Sequence, residues 1–376
     1  MAGRAGAEVR EGIVVEIIQR REGATLAWVE VQGRRERAVC YPALTGAIEP
    51  GDRVALNTTA VTLGLGTGGH HFVTAVWGRT ADLEGPGHIM KVRYTPSQVR
   101  VLAVEEEESP YHHALSVIPD LAGLPVAACG LHSQLPVVAA AIKAACPRAR
   151  VAYVMTDGAA LPAAVSDVLA RLRKSGLVDT VITAGHAFGG DLEAVTVHSA
   201  LAAAKVAARA DAVIVAMGPG VVGTGTPLGS TALEQALVLD AACDLGGRGV
   251  PVIRVSFADA RERHRGISHH ALTCLTRFVH HRLTVPLPAL SRHEWRARLE
   301  EQAAGLRACG HRIRWRDGAE ALARAERLLA REGIRVTSMG RSAREDPAFF
   351  EAAAAAGEEA AGLLERPGPP QEGAAR

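Results

Sequence analysis

The run Asp211–Thr231, DAVIVAMGPGVVGTGTPLGST, constrains this chain's fold more than any other stretch. Asp211–Met217 is an almost unbroken apolar run, the pattern of a strand buried on both faces of a parallel sheet. Gly218, Gly220, Gly223 and Gly225 follow closely. Ser230 or Thr231 can then cap a helix running through Leu233, Ala236, Leu237 and Asp240. A second apolar run, Val250–Phe257, completes a β-α-β unit. A glycine-rich turn between strand and helix lets backbone N–H groups converge where the helix dipole favours an anion.

The same alternation of strand and helix holds from residue 121 onward. Strands are expected at Val126–Cys129, Arg150–Met155, Thr180–Thr183, Asp211–Met217 and Val250–Phe257. Helices are expected at Leu135–Ala145 and Ala163–Lys174, with further strands at Arg282–Val285, His311–Trp315 and Ile334–Ser338. Residues 121–345 therefore read as a doubly wound α/β domain with a mostly parallel sheet. Residues 1–80 read differently. GIVVEII, TLAWVEV, ERAVCY, DRVALN and HFVTAVW are short strands separated by turns, the pattern of a small SH3-like or OB-like all-β barrel. Residues 81–120 form a β bridge, and residues 346–376 a terminal helix and a disordered tail.

Composition excludes several classes. With 376 residues, 48% of them hydrophobic and 22% charged, the chain can bury a large core. A net charge of +2 gives no support for a bulk nucleic-acid or membrane-surface binder. Arg20, Arg21, Arg34, Arg35 and Arg37 cluster in the barrel, but only Trp28 and Tyr41 stand nearby to stack bases, so nucleic-acid binding is disfavoured. Six scattered cysteines without a C-x-x-C pair read as buried free thiols in a reducing cytoplasm. MAGRAGAEVREG lacks the apolar core of a signal peptide, and no apolar run reaches the roughly 18 residues of a membrane span.

In an open parallel sheet, ligands bind beyond the carboxyl ends of the strands. The loops expected there hold His132, Ser133, Asp157, His186, Asp191, Thr224 and His269. His132, Asp157, His186 and His269 are the candidates for proton transfer, a histidine near neutral pKa being suited to it. A divalent metal held by Asp157 or Asp191 with one histidine is the alternative use of these groups. Adjacent His269 and His270 leave a helix about 100° apart, which argues against one metal between them. Arg261, Arg263 and Arg265 precede Ser268, a candidate helix cap, and offer forked donors to an anion. The bland alternative is salt bridges to Asp259 or Glu262. GPGVVG spells a dinucleotide-type glycine pattern, but it follows the fourth strand and no acidic residue ends a strand about 20 positions later. A dinucleotide cofactor is disfavoured.

At NTTAVTLGLGTGGHHFV, GHIMKVRYTPSQVRVLAVEEEESP, GLHSQLP, YVMTDGAALP, GHAFGGDLEAVTVHSALAAA, GPGVVGTGTPLG and RERHRGISHHALT the chain resembles a bacterial family known as domain of unknown function 3866. The resemblance runs from about residue 10 to about residue 345. It implies a cytoplasmic bacterial protein and assigns no catalytic residue.

The residues themselves point to an enzyme, a hydrolase or transferase, acting on a phosphorylated or nucleotide-like anion. Backbone donors of Gly218, Gly220, Gly223 and Gly225, with Thr224, Ser133, Asp191, Ser268 and the three arginines, would hold the ligand. The alternative is a non-catalytic sensor whose barrel contacts a protein or RNA. The expected partner is a small anionic molecule, with no membrane and a homo-oligomeric assembly.

Overall fold

The structure, a computed structural model, describes residues 5–66, 68–80 and 85–365. The tail expected to be disordered lies beyond residue 365, outside the described residues. Two compact units form, one of Met1–Val101 with Pro162–Val165 and one of Leu102–Leu161 with Ser166–Arg376.

In the first unit, β1 (Val9–Arg21), β2 (Ala24–Val31), β3 (Arg34–Cys40), β4 (Arg53–Asn57) and β5 (His70–Val76) close a barrel in the order β1-β2-β3-β5-β4. Two short helices, α1 (Pro42–Thr45) and α2 (Thr59–Thr62), lie in its connections. Alternate residues point inward, and Val14, Val29, Ala38, Val54, Leu56 and Val73 make the core. Bulges between Val14 and Glu16 and between Ile17 and Gln19 bend the long β1, which pairs with both β2 and β4. Arg20 pairs with Glu49, Arg35 lies over Trp28 and pairs with Glu16, and Arg37 donates to Gly68 O. A short antiparallel pair follows, β6 (Ile89–Lys91) with β7 (Val99–Val101).

The second unit opens with the short helix α3 (His112–Leu115) and is built on a parallel sheet. Its strands are β8 (Pro125–Cys129), β9 (Val151–Thr156), β10 (Thr180–Ala184), β11 (Leu192–Ala194), β12 (Ala212–Met217) and β13 (Arg248–Val252). Their order is β11-β10-β9-β12-β8-β13. Val126, Val154, Val213 and Val215 share a core with Leu201 of α6 (Val197–Val206) and Leu239 of α7 (Glu234–Asp244). Neighbouring positions such as Ala127, Tyr153 and Ile214 must face the other side. There α4 (Leu135–Ala145), α10 (Gly318–Arg331) and α11 (Pro347–Glu365) pack together. Helix α11 is core: Ala353–Ala356 are wholly buried, and a Cβ at Gly357 would stand 2.8 Å from Val138 O. No described helix is long and apolar enough to cross a membrane.

Four segments differ from the sequence expectation. Val250–Phe257 divides into β13 and β14 (Val255–Ser256), which pairs antiparallel with β15 (Gly266–Ile267). Arg254 sits at the break, because its guanidinium reaches Asp259 and cannot continue through an apolar sheet. The helix expected from Ala163 begins at α5 (Asp167–Lys174), where Ser166 Oγ accepts from Leu169 N at 3.1 Å. β16 (Thr284–Pro288) and β17 (Arg312–Arg316) form a parallel pair of their own, with α8 (His269–Thr273) before and α9 (His293–Ala308) between them. Ile334–Ser338 forms no strand, since Ile334 N closes the end of α10 on Leu329 O after Gly333 turns left-handed.

The connection after β8 enters α4 on one face, and that after β12 enters α7 on the other. Adjacent strands whose connections part this way leave a crevice at their carboxyl ends.

Candidate functional site

A cleft of about 170 Å³ opens at that crevice. β8 delivers Gly130 and Leu131; the loop after β12 delivers Val221, Val222 and Gly223; and the start of α7 delivers Ser230, Ala232 and Gln235. Arg254, Arg261, His264, Ser268 and His270 come from the segment after β13, and Met339 from the turn before α11. Gln235 Nε2 donates to Ala128 O and Val252 O, fixing the helix start to the ends of β8 and β13.

Asp259 organises the cationic side. Its carboxylate, almost fully buried, accepts Nε and Nη2 of Arg261 at 2.9 and 2.8 Å and Nη2 of Arg254 at 2.9 Å. The hydrogen bonds from Arg261 hold that carboxyl well below the usual range. Two guanidiniums thus share one carboxylate, and the group keeps a net positive charge. Among the described residues, no acidic side chain lines the cleft.

Three imidazoles adjoin these arginines. His264 Nδ1 lies 2.9 Å from Ser268 Oγ, and His270 Nε2 lies 3.1 Å from Thr226 O. Donation of Nε2–H to that carbonyl leaves His270 Nδ1 as an acceptor. Rings of His269 and His270 are 3.8 Å apart, although their Cα–Cβ bonds diverge on the helix, because side-chain torsions fold the rings together. Burial, helped by the charge of Arg254, lowers His264 to about 4. Burial and neighbouring charge also lower His269 and His270. All three shifts favour the neutral imidazole. Among the described residues, no group of three or more His, Cys, Asp or Glu is suited to hold a metal.

Of the residues singled out in the sequence, the cleft gathers Gly223, Arg261 and Ser268. Ser268 makes no side-chain cap on α8, its hydroxyl being turned to His264. His269 stands beside the cleft in the imidazole cluster, with Nε2 buried and without a partner. Arg263 and Arg265 are exposed, Arg265 lying 3.7 Å from Glu262. Gly218 packs under Ala160, where a Cβ would meet Ala160 O at 2.3 Å. Gly220 turns the chain at φ +110°. Thr224 N donates to Gly229 O, so Thr224 and Gly225 lie in an exposed loop tip rather than at the start of α7.

The remaining candidates lie elsewhere. His132 is buried, with Nδ1 3.2 Å from both Tyr153 Oη and Met217 O, and Nε2 2.7 Å from Ser166 Oγ. Burial lowers it to about 4. Ser133 Oγ lies 3.0 Å from Ser338 Oγ. Asp157 accepts the backbone N–H of His186 at 2.9 Å. Asp191 ties the amino end of β10, accepting from Val181 N and pairing with Arg173, at the opposite end of that strand from His186.

Sequence reasoning missed Arg254, Glu234 and Met339. Arg254 carried a signal, a lone charge inside the apolar run VPVIRVSF. Glu234 carried none, since an acidic residue in a first helical turn is ordinary. It is bonded to Thr156 Oγ1, and a Cβ at Gly158 would stand 2.4 Å from its Oε2. Burial raises this carboxyl to about 7, opposed by the Thr156 bond and helped by the charge of Asp157.

A family model described as "Protein of unknown function (DUF3866)" matches residues 37–357. The chain belongs to that family. No curated protein matches it. The cleft, including Met339, lies wholly within the matched region.

Proposed function

We propose that this protein is a small-molecule enzyme, a hydrolase or transferase, whose substrate presents a phosphate-like anion to Arg254 and Arg261. The observation that carries the reading is the charge balance of the cleft: two guanidiniums on one buried carboxylate, with no acidic side chain on the described lining. Such a site attracts an anion and offers it forked donors. His264 and His270 supply proton transfer. Burial and then the neighbouring arginines favour their neutral forms, and an anion between them and the arginines offsets the second of these causes, so each becomes a stronger base in the complex. The six cysteines, described without a disulfide between them, and the family resemblance support a cytoplasmic protein of bacterial origin.

Calorimetric titration with inorganic phosphate tests the anion site. Arg254→Gln and Arg261→Gln should each weaken binding about 10- to 100-fold, from loss of a charge-assisted bond of about 1.5–3 kcal/mol. Thermal melts separate lost binding from lost folding, Arg261 being the more exposed of the two. Unchanged affinity in both variants would reduce the arginines to structural ion pairs. Incubation with metabolite pools and mass spectrometry then seeks conversion, which His270→Asn should abolish while affinity stays within about tenfold. A retained anion with no conversion in any pool would favour the sensor reading.

A further inference from the structure

Met339 occupies an unusual place. Ser338 and Arg341 exchange both backbone hydrogen bonds at 2.9 Å, while Met339 and Gly340 have φ of +52° and +76°. This is a two-residue turn with both central residues left-handed, a geometry that favours Asn, Asp or Gly at its first position. A methionine there is strained by its Cβ. Its side chain gains no burial in return, being 61% exposed, and it lines the cleft. The turn is firmly seated, by Ser338 Oγ on Ser133 Oγ and by Arg341 on the buried Asp346. Val222, from the loop after β12, also lines the cleft and is 58% exposed.

Resting on the anion-site reading above, we infer that the substrate's anionic group is joined to a flat apolar or aromatic group, and that Met339 and Val222 are the residues that select it. Lone exposed apolar side chains are common on protein surfaces. Here two of them, one on strained backbone, border the same cleft as the paired guanidiniums. The cleft therefore has a charged part (Arg254, Arg261) and an apolar part (Leu131, Val222, Met339). A polarizable thioether makes favourable contacts with aromatic rings. The ligand class is an aryl or heteroaryl phosphate, mononucleotides included, rather than a bare sugar phosphate.

The test compares inorganic phosphate, ribose 5-phosphate, phenyl phosphate and adenosine monophosphate by calorimetric titration. Phenyl phosphate and the mononucleotide should bind at least about tenfold more tightly than the other two. Met339→Asn suits the left-handed turn, so it should fold at least as well as the wild type. It should cut that preference to within about threefold and leave the phosphate Kd unchanged, and Val222→Ser should act in the same direction. Equal affinity for ribose 5-phosphate and phenyl phosphate in the wild type overturns the inference, as does a preference that survives both substitutions. If phosphate binds without any such preference, only this inference falls. If none of the four ligands binds, the anion-site reading falls with it.

Discussion

The amino end of α7 separates two clusters of titratable groups that solve the same electrostatic problem in opposite ways. On one flank, Gln235 and Ser230 border a cleft where burial, then the arginines, favours neutral imidazoles. On the other, Glu234 meets Thr156 beside Asp157, and burial keeps a carboxyl partly protonated. The first cluster has excess positive charge and open space, so a ligand can complete it. The second has its polar atoms largely satisfied by the protein: Asp157 by the His186 amide, and His132 by Tyr153, Met217 and Ser166. Perturbed titration alone therefore does not mark a site, and the proposed anion site rests on the accessible, unbalanced charge instead.

Substituting the central carboxylate on each flank gives the largest contrast. Asp259→Asn leaves Arg254 and Arg261 without their shared counter-charge and should cost about 3 kcal/mol, since removing one partner of a buried pair strands the other. Glu234→Gln replaces a group already half protonated near pH 7 and should cost less than about 1 kcal/mol. Chemical denaturation of both variants at pH 7 measures the difference. Comparable losses would erase the distinction between the flanks.

His132→Ala should come next. Deleting the ring takes one partner from each of three polar groups that keep another, Tyr153 Oη with Ala216 O, Met217 O with Tyr153 Oη and Ser166 Oγ with Leu169 N, and should cost about 1–3 kcal/mol in total. Phosphate affinity should stay within about twofold. A selective loss of binding with an unchanged melt would return His132 to the functional site.

The pH dependence should then show the two flanks with opposite sign. His264 titrates near 4 in the fold against 6.5 for a free imidazole, so its burial costs nothing above about pH 6.5 and destabilises increasingly as pH falls toward 4. Glu234 titrates near 7 against 4.5, so its cost is absent below about pH 4.5 and grows as pH rises through 7. The two windows overlap between about pH 4.5 and 6.5 with opposing slopes. In a melting-temperature profile, His264→Asn should therefore lessen the loss of stability as pH falls from 6.5 toward 4 and Glu234→Gln the loss as pH rises from 4.5 to 7, each by about 1–2 kcal/mol. Slopes that persist in these variants would assign the pH dependence to other groups.

Smallest is the effect expected at the cleft's outer rim. Arg265 is exposed and loosely paired with Glu262, so Arg265→Ala should change phosphate affinity less than about threefold. A larger loss in titration would extend the cationic site outward to Arg265.

The strands of the barrel and sheet were legible because burial on one or both faces leaves a periodic imprint on the sequence. Helix α4 appears at Leu135–Ala145 as read, and β12 begins one residue after the expected Asp211. Misreadings fell where a single interaction overrides periodicity: Arg254 breaking a strand to reach Asp259, Ser166 postponing a helix, Ile334 closing one.

Sequence by itself thus determined a barrel followed by an α/β unit, the end of the sheet at which polar loops gather, and the presence of an arginine-rich segment after the last sheet strand. Only the tertiary structure decided which of those polar groups meet. Asp157 and Asp191 both looked like loop carboxylates, yet the chain doubles back between His186 and Asp191 and carries the latter to the opposite end of β10. Arg254, Ser230 and Met339 are far apart in the chain and come together only because β12 and β8 are neighbours with connections to opposite faces. Local pattern encodes burial residue by residue. Convergence of side chains depends on strand order and crossover direction, which no short window of sequence contains.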